Sequence, residues 1–453
     1  MKRIALIAVA LSLAVTFSVM AGGARESSSS TSAAASQPAS GGIFKIAEYI
    51  VPAQMANMNP FSPAGNYRNL FDFIYDSLLY FNPVQKKLDP RLATSYSWSA
   101  DNKTLTMKLH PNVTWQDGTP FSAKDVVFTF DVLKKYPVLD IYQLWNTLQS
   151  VTGSGNTVQF HLKAAFPSLP YYLSVVYIVP EHIWKNQDPV TYLNTNPIGT
   201  GAFIFKKYNT GTDIELVANK HYFGGAPHIA GLDILTYSSA SATTLALLKG
   251  DAAQTLGTIA MPSIPRLLDN KDNHMQAYPG LANFVVMLNT ANPLLSNPIV
   301  RRAMIMAVDR PTLISKGELN AVYPMNDAFL PDLFGNLVNK SAFNAPSLAY
   351  DPQGAIKLLT DNGFTRGSNG YFVSPNGKEL SFTYYEAAGA PAQENEANMI
   401  QQWLKAVGIK TTPKLATWPE LTSIATSGNY DMVQLGINLV LSPDPFTLRR
   451  SLT

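Results

Sequence analysis

The sequence predicts an α/β or α+β protein of two or more lobes, and three observations carry that expectation. A chain of 453 residues exceeds one typical domain, and its 46% hydrophobic residues can bury a large core. Short segments of strand period mix with stretches of helical spacing, and no fixed internal repeat organises them. Charged residues make up 14% and aromatics 11%, the balance of a packed fold rather than of a disordered chain. The formal charge of +3 loses two units with Lys2 and Arg3, and no basic stretch stands out, which argues against nucleic acid as a partner.

From the start of the chain, Lys2 and Arg3 precede an apolar run from Ile4 to Val19, and Val19-Met20-Ala21 fits the small-x-small rule of export cleavage. The expectation is a signal peptide over residues 1–21 with Gly22 as the new first residue. The run is short for a bilayer span and is interrupted by Ser12, Thr16 and Ser18. The chain has no cysteine, so neither a disulfide nor a lipid-modified cysteine is available, and an extracytoplasmic protein that is not a lipoprotein follows. Residues 22–42 are mostly Gly, Ala and Ser and read as a flexible linker.

Folded sequence begins near Ile43. Apolar residues fall on alternate positions in Thr104 to Leu109 and again at Val158, Phe160 and Leu162, which predicts two half-buried strands. Between them, Ser122 and Asp125 have capping-box spacing ahead of Val126, Phe130 and Leu133, a helix that Pro137 stops. Asp351-Pro352 caps a further helix through Ala355, Leu358 and Leu359 up to Asn362-Gly363. Ala397, Ile400, Leu404 and Val407 form one apolar stripe that closes at Gly408.

Enzymatic constellations do not emerge. The six histidines, His110, His161, His182, His221, His228 and His274, lack the paired spacing of a zinc helix. Gly199-Thr200-Gly201 has Ile204 where a dinucleotide fingerprint needs its third glycine, and no Gly-Lys-Ser/Thr occurs. Asp117 and Asp125 sit in turn and cap signals, so local hydrogen bonding explains them better than paired acid-base work. The reading is a binding protein rather than an enzyme, with no cofactor or metal implied; a secreted hydrolase is the rival of another class, because scattered carboxylates can converge in a fold.

Several ordered segments carry a family resemblance. Ala93 to Asp101, Leu105 to Leu109 and Val113-Thr-Trp115-Gln-Asp117-Gly118-Thr-Pro120-Phe-Ser-Ala-Lys-Asp125-Val126 form the longest. Asn196-Pro-Ile-Gly199-Thr-Gly201-Ala-Phe203, Ala218 to Gly225, Leu288-Asn289, Asn297 to Met304 with Val308-Asp309-Arg310, Tyr350-Asp351-Pro352 and Gly428-Asn-Tyr430-Asp431 continue it in order. Together they resemble the extracytoplasmic solute-binding protein family 5, the oligopeptide-, dipeptide- and nickel-binding type. These motifs encode turns, caps and packing, with Arg301 and Asp309 expected as an ion pair on a helix face. The resemblance implies a two-lobed periplasmic binding protein of type II fold that closes on its ligand. It implies a first lobe over residues 43–280, with an inserted subdomain at about 80–190, and a second lobe over 281–453. Such proteins run on past the Asp-Pro matched here by Asp444-Pro445, so a further C-terminal segment completing the first lobe is expected. The partners implied are a small ligand and the permease and ATPase of an ABC importer, with the binding protein itself a monomer.

Peptide-binding members of that family hold the ligand's amino group with an aspartate shortly before the Asp-Pro, whereas residues 436–444 here are apolar at that place. Gln434 or Ala425 stands at the expected arginine positions. A zwitterion would be buried without charged partners, so the expected ligand is an oligosaccharide of β-linked, cello type, with a peptide as the alternative and nickel or haem chelates third. The expected contacts are Trp418, Tyr142 and Trp145 as stacking surfaces, Asn66 and Tyr67 in the loop after Asn59-Pro60-Phe61, and Asn438 as a polar contact.

Overall fold

The computed structural model describes residues 41–49, 57–62, 68–82, 84–85, 87–255, 259, 261–273, 282–317, 348–388 and 391–438. The signal segment, the linker up to residue 40, Asn66, Tyr67 and Asp444-Pro445 lie outside them. The described residues up to 273 form one compact unit and those from 282 a second.

In chain order the N-terminal unit contains β1 (Gly41–Tyr49), α1 (Arg68–Ile74), β2 (Leu79–Asn82), β3 (Lys87–Pro90), β4 (Ala93–Trp98), β5 (Thr104–Leu109), α2 (Ala123–Lys135), β6 (Leu148–Ser154), β7 (Thr157–Leu162), β8 (Phe203–Asn209), β9 (Asp213–Ala218), β10 (Ile229–Tyr237), α3 (Ala240–Lys249) and β11 (Gln254–Thr255). The described strands build a mixed sheet in the order β11-β1-β10-β9-β8, an antiparallel sheet β4-β5-β7-β6 and the hairpin β2-β3. The alternation read from sequence is the burial observed: Leu105, Met107 and Leu109 of β5 and Val158, Phe160 and Leu162 of β7 face inward. Ser122 and Asp125 close the capping box that starts α2, and Phe130 meets Phe160 edge to face at 5.0 Å. Burying one such ring contributes about 1.5–3 kcal/mol.

The glycine turn acts by close approach. A β-carbon at Gly199 or Gly201 would overlap the backbone of Phe73 and Ile74 at the end of α1. Without one, Gly201 N donates to Ile74 O at 2.8 Å, and Gln116 bridges both segments by donating from Nε2 to Ile74 O at 3.3 Å and to Phe203 O at 2.8 Å while accepting from Gly199 N.

The C-terminal unit runs β12 (Ala282–Leu288), α4 (Pro298–Ala307), α5 (Pro352–Asp361), β13 (Thr365–Arg366), β14 (Phe372–Val373), β15 (Ser381–Ala387), α6 (Pro391–Ala406), β16 (Lys410–Ala416), α7 (Trp418–Ser427) and β17 (Met432–Asn438). Its main sheet has the order β12-β17-β15-β16, with β15 parallel to both neighbours and β12 antiparallel to β17. One face, through Phe382, Tyr384 and Met432, packs on Ala397, Ile400 and Leu404 of α6. The other, through Ala387, Ala416 and Val433, packs on Leu421 of α7. Asp351 caps α5 by accepting from Gly354 N, and Gly363 and Gly408 take positive φ where two helices end.

One expectation fails. Arg301 and Asp309 do not form an ion pair: Arg301 Nη1 donates to the carbonyls of Leu295 and Ser296 at 2.7 and 2.8 Å. Asp309 instead accepts from Thr312 N and Oγ1 as the cap of the next turn. The end of α4 at Ala307 separates the two residues, so they share no helix face.

Candidate functional site

Three parallel strands of the C-terminal unit end side by side at Ala387, Ala416 and Asn438. Open α/β sheets bind ligands outside the carboxyl ends of their strands, where connecting loops and helix starts converge. Two sequence-predicted residues map to this edge. Trp418 is the first residue of α7, which the Thr417–Glu420 capping box starts directly after β16. Asn438 ends β17 opposite Ala282. Their side chains lie outside the described ones.

The structure places the other two described candidates in the N-terminal unit. Tyr142 is half-buried and edge-on to Tyr172 at 6.3 Å. Trp145 donates from Nε1 to Phe130 O at 2.9 Å, and Lys134 Nζ sits 4.5 Å from its ring centre. The Asp140 carboxylate orders this turn by accepting from Leu144 N and Trp145 N.

Sequence reasoning passed over a polar group near the strand ends. Along β15 the inward positions run Phe382, Tyr384, Glu386, so the buried face changes from apolar to acidic toward the carboxyl end. Tyr384 pairs with Met432, and two residues on the parallel register brings Glu386 beside Gln434 of β17. Glu386 and Gln434 are 6% and 2% exposed. Gln434 Nε2 donates to Glu396 Oε2 of α6 at 3.1 Å and to Gln393 O at 3.3 Å, while Gln401 Nε2 donates to Glu386 Oε2 at 3.3 Å. Burial pushes the Glu386 carboxyl above the ordinary range, and Glu394 adds to it. Burial, Glu386 and Glu396 together push the Tyr384 phenol up. The Tyr384 hydroxyl and Gln434 Oε1 are buried without hydrogen-bond partners. The signal that could have found this group is an acid on the inward phase of an alternating strand.

Buried charge in the N-terminal unit is organised differently. Asp76 Oδ1 accepts from Arg91 Nη1 at 3.0 Å and Tyr222 OH at 3.2 Å, and Oδ2 accepts from Thr200 Oγ1 at 3.0 Å. Burial pushes the Asp76 carboxyl up, and Arg91 and the two hydroxyls pull it back. This closed network ties the start of β4 to the glycine turn. Asp117 and Asp125 are likewise structural: Asp117 accepts from Thr119 N and meets His182 at 2.7 Å, and Asp125 accepts from Ser122 N and Glu181 N. Among the described residues no group of three or more His, Asp or Glu is placed to hold a metal ion, and no helix is long and apolar enough to cross a membrane.

Solved structures similar to this one include ligand-binding proteins of ABC transporters. A periplasmic oligopeptide-binding protein of Thermotoga maritima superposes with a TM-score of 0.80 at 25% identity, covering 89% of this chain and 78% of its own, and it has also been solved with mannohexaose bound. NikZ of Campylobacter jejuni, solved with Ni(L-His), superposes with a TM-score of 0.75 at 24% identity over 90% of this chain and 79% of its own. The oligopeptide-binding protein AppA of Bacillus subtilis is 26% identical over 471 aligned positions, covering 98% of this chain and 82% of AppA. Its structure with a nonapeptide superposes with a TM-score of 0.69 at 22% identity, covering 90% of this chain and 81% of that one. The fold is therefore that of the two-lobed type II periplasmic binding proteins, and the chain is the substrate-binding component of an ABC importer. The family model described as bacterial extracellular solute-binding proteins, family 5 Middle, matches residues 87–453, and the chain belongs to that family. Its members are substrate-binding transport proteins, not enzymes.

Proposed function

We propose that this chain binds a peptide outside the cytoplasmic membrane and hands it to the permease and ATPase of an ABC importer. The observation that carries the reading is the similarity to AppA over 98% of the chain, AppA being an oligopeptide-binding protein solved with a nonapeptide. It outweighs the argument from the apolar stretch before Asp444-Pro445, which favoured an oligosaccharide. The oligosaccharide reading keeps one specific support, the mannohexaose held by the Thermotoga maritima protein. Export is proposed through cleavage after Ala21, and the mature protein acts as a monomer. Trp418, Asn438, Tyr142, Trp145, Asn66 and Tyr67 are the proposed ligand contacts.

Calorimetry with di- to nonapeptides beside cello- and manno-oligosaccharides tests the reading. Saturable peptide binding without turnover is the expected result; sugars binding while peptides do not reverses the choice, and steady product release defeats the binding reading. A stacking role for Trp418 predicts that Trp418→Ala loses about 2 kcal/mol of ligand affinity. That loss is at least roughly tenfold in Kd.

A further inference from the structure

The polar group at the end of β15 and β17 is rich in acceptors and has one described donor to Glu386, the Gln401 amide. Among the described residues no Lys or Arg forms an ion pair with Glu386, and the neighbour that acts on its titration, Glu394, has the same sign. Gln434, 98% buried by its 2% exposure, spends its amide nitrogen on Glu396 and Gln393 and leaves Oε1 unpartnered. The Tyr384 hydroxyl, on the residue one inward position before Glu386, is also unpartnered and fully buried. Native interiors seldom leave such atoms without a donor, because each costs about 1–3 kcal/mol. A carboxylate, an amide oxygen and a phenol oxygen together present what a primary ammonium satisfies, since it brings three N–H donors and no acceptor.

We propose that Glu386, with Gln434 Oε1 and the Tyr384 hydroxyl, receives a primary ammonium group carried by the ligand. This deepens the peptide reading and rests on it. It supplies a cation-binding position in a chain whose residues 436–443, before Asp444-Pro445, carry no aspartate or glutamate. A peptide has two sources of that group, its amino terminus and a lysine side chain.

The test is retention by the full chain of a randomised pentapeptide library prepared in three forms: lysine-free with free amino termini, lysine-free and acetylated, and lysine-containing and acetylated. Bound peptides are counted by mass spectrometry after gel filtration. At least one ammonium-bearing form is expected to be retained roughly tenfold better than the lysine-free acetylated form, a difference of about 1.4 kcal/mol. Which form wins identifies the source. In Glu386→Gln the preference is expected to vanish while the lysine-free acetylated form binds as before. Equal retention of all three forms by the natural sequence overturns the inference and leaves the peptide reading standing. Retention of none overturns both. The selectivity of the natural sequence decides the matter even if the variant folds poorly, and a Glu386→Gln protein that loses all three forms equally makes Glu386 structural and also overturns it.

Discussion

Each unit of this protein buries carboxylates, and the two solve the problem in opposite ways. Asp76 of the N-terminal unit is matched by a guanidinium and two hydroxyls, so each oxygen has a donor. Glu386 of the C-terminal unit has one amide donor and no ion pair among the described residues, beside two polar atoms with no partner. A satisfied network fixes a fold, whereas an unsatisfied one costs stability in the free protein and suits a role that is completed on binding. The contrast separates scaffold from site within one chain.

The largest expected effect breaks the satisfied side. Asp76→Ala leaves the half-buried Arg91, held against Tyr222 and Tyr80, without its carboxylate and should destabilise the protein by about 3 kcal/mol, read as a lower thermal midpoint by circular dichroism. A loss below about 1 kcal/mol would mean that Arg91 is resolvated and that the network is not structural.

Removing one hydroxyl on each side should give opposite signs. Tyr222→Phe deletes a donor to Asp76 and an acceptor for Arg91, at about 1.5–3 kcal/mol. Tyr384→Phe keeps the ring and deletes an unpartnered buried hydroxyl, so the ligand-free protein should gain about 1 kcal/mol in urea unfolding. Equal losses in the two variants would erase the distinction between the units.

The smallest effect is a pH slope. Glu386 has its folded pKa raised by burial and by Glu394, so it holds a proton in the folded state that the unfolded chain has lost above about 4.3. Its contribution is fully present below that value and is lost as pH rises through the folded pKa. Thermal midpoints across this window should fall with pH more steeply in the natural sequence than in Glu386→Gln. Parallel profiles would show that the carboxyl is solvated in the folded state.

Local elements were legible in the residues because their causes are local. The Ser122–Asp125 box, the Asp351-Pro352 start, the stripe from Ala397 to Val407 and the alternation in β5 and β7 each depend on neighbours a few positions away. The site was less legible. Trp418 and Asn438 stand in the sequence as candidate ligand contacts, and their backbone positions fall at the start of α7 and the end of β17, but Glu386 and Tyr384 read as ordinary members of an alternating strand. What makes them notable is their neighbours from α6 and β17, about ten to fifteen and about fifty residues away along the chain. Gln434 was read only as a missing arginine, since nothing local shows that its amide would be shared with Glu396.

The sequence by itself determined where helices start and stop, which strand faces are apolar, and the ordered motifs of a solute-binding protein, all consequences of short-range periodicity and turn chemistry. Only the tertiary structure decided which polar groups are paid for by partners. Arg301 turned from Asp309 to two carbonyls because α4 ends between them, and Asp76 met Arg91 from the next strand connection and Thr200 and Tyr222 across more than a hundred residues. Glu386 and Tyr384 acquired their unbalanced surroundings the same way. Burial and long-range hydrogen bonding depend on the register of strands distant in the chain, and that register exists only once the sheet is assembled.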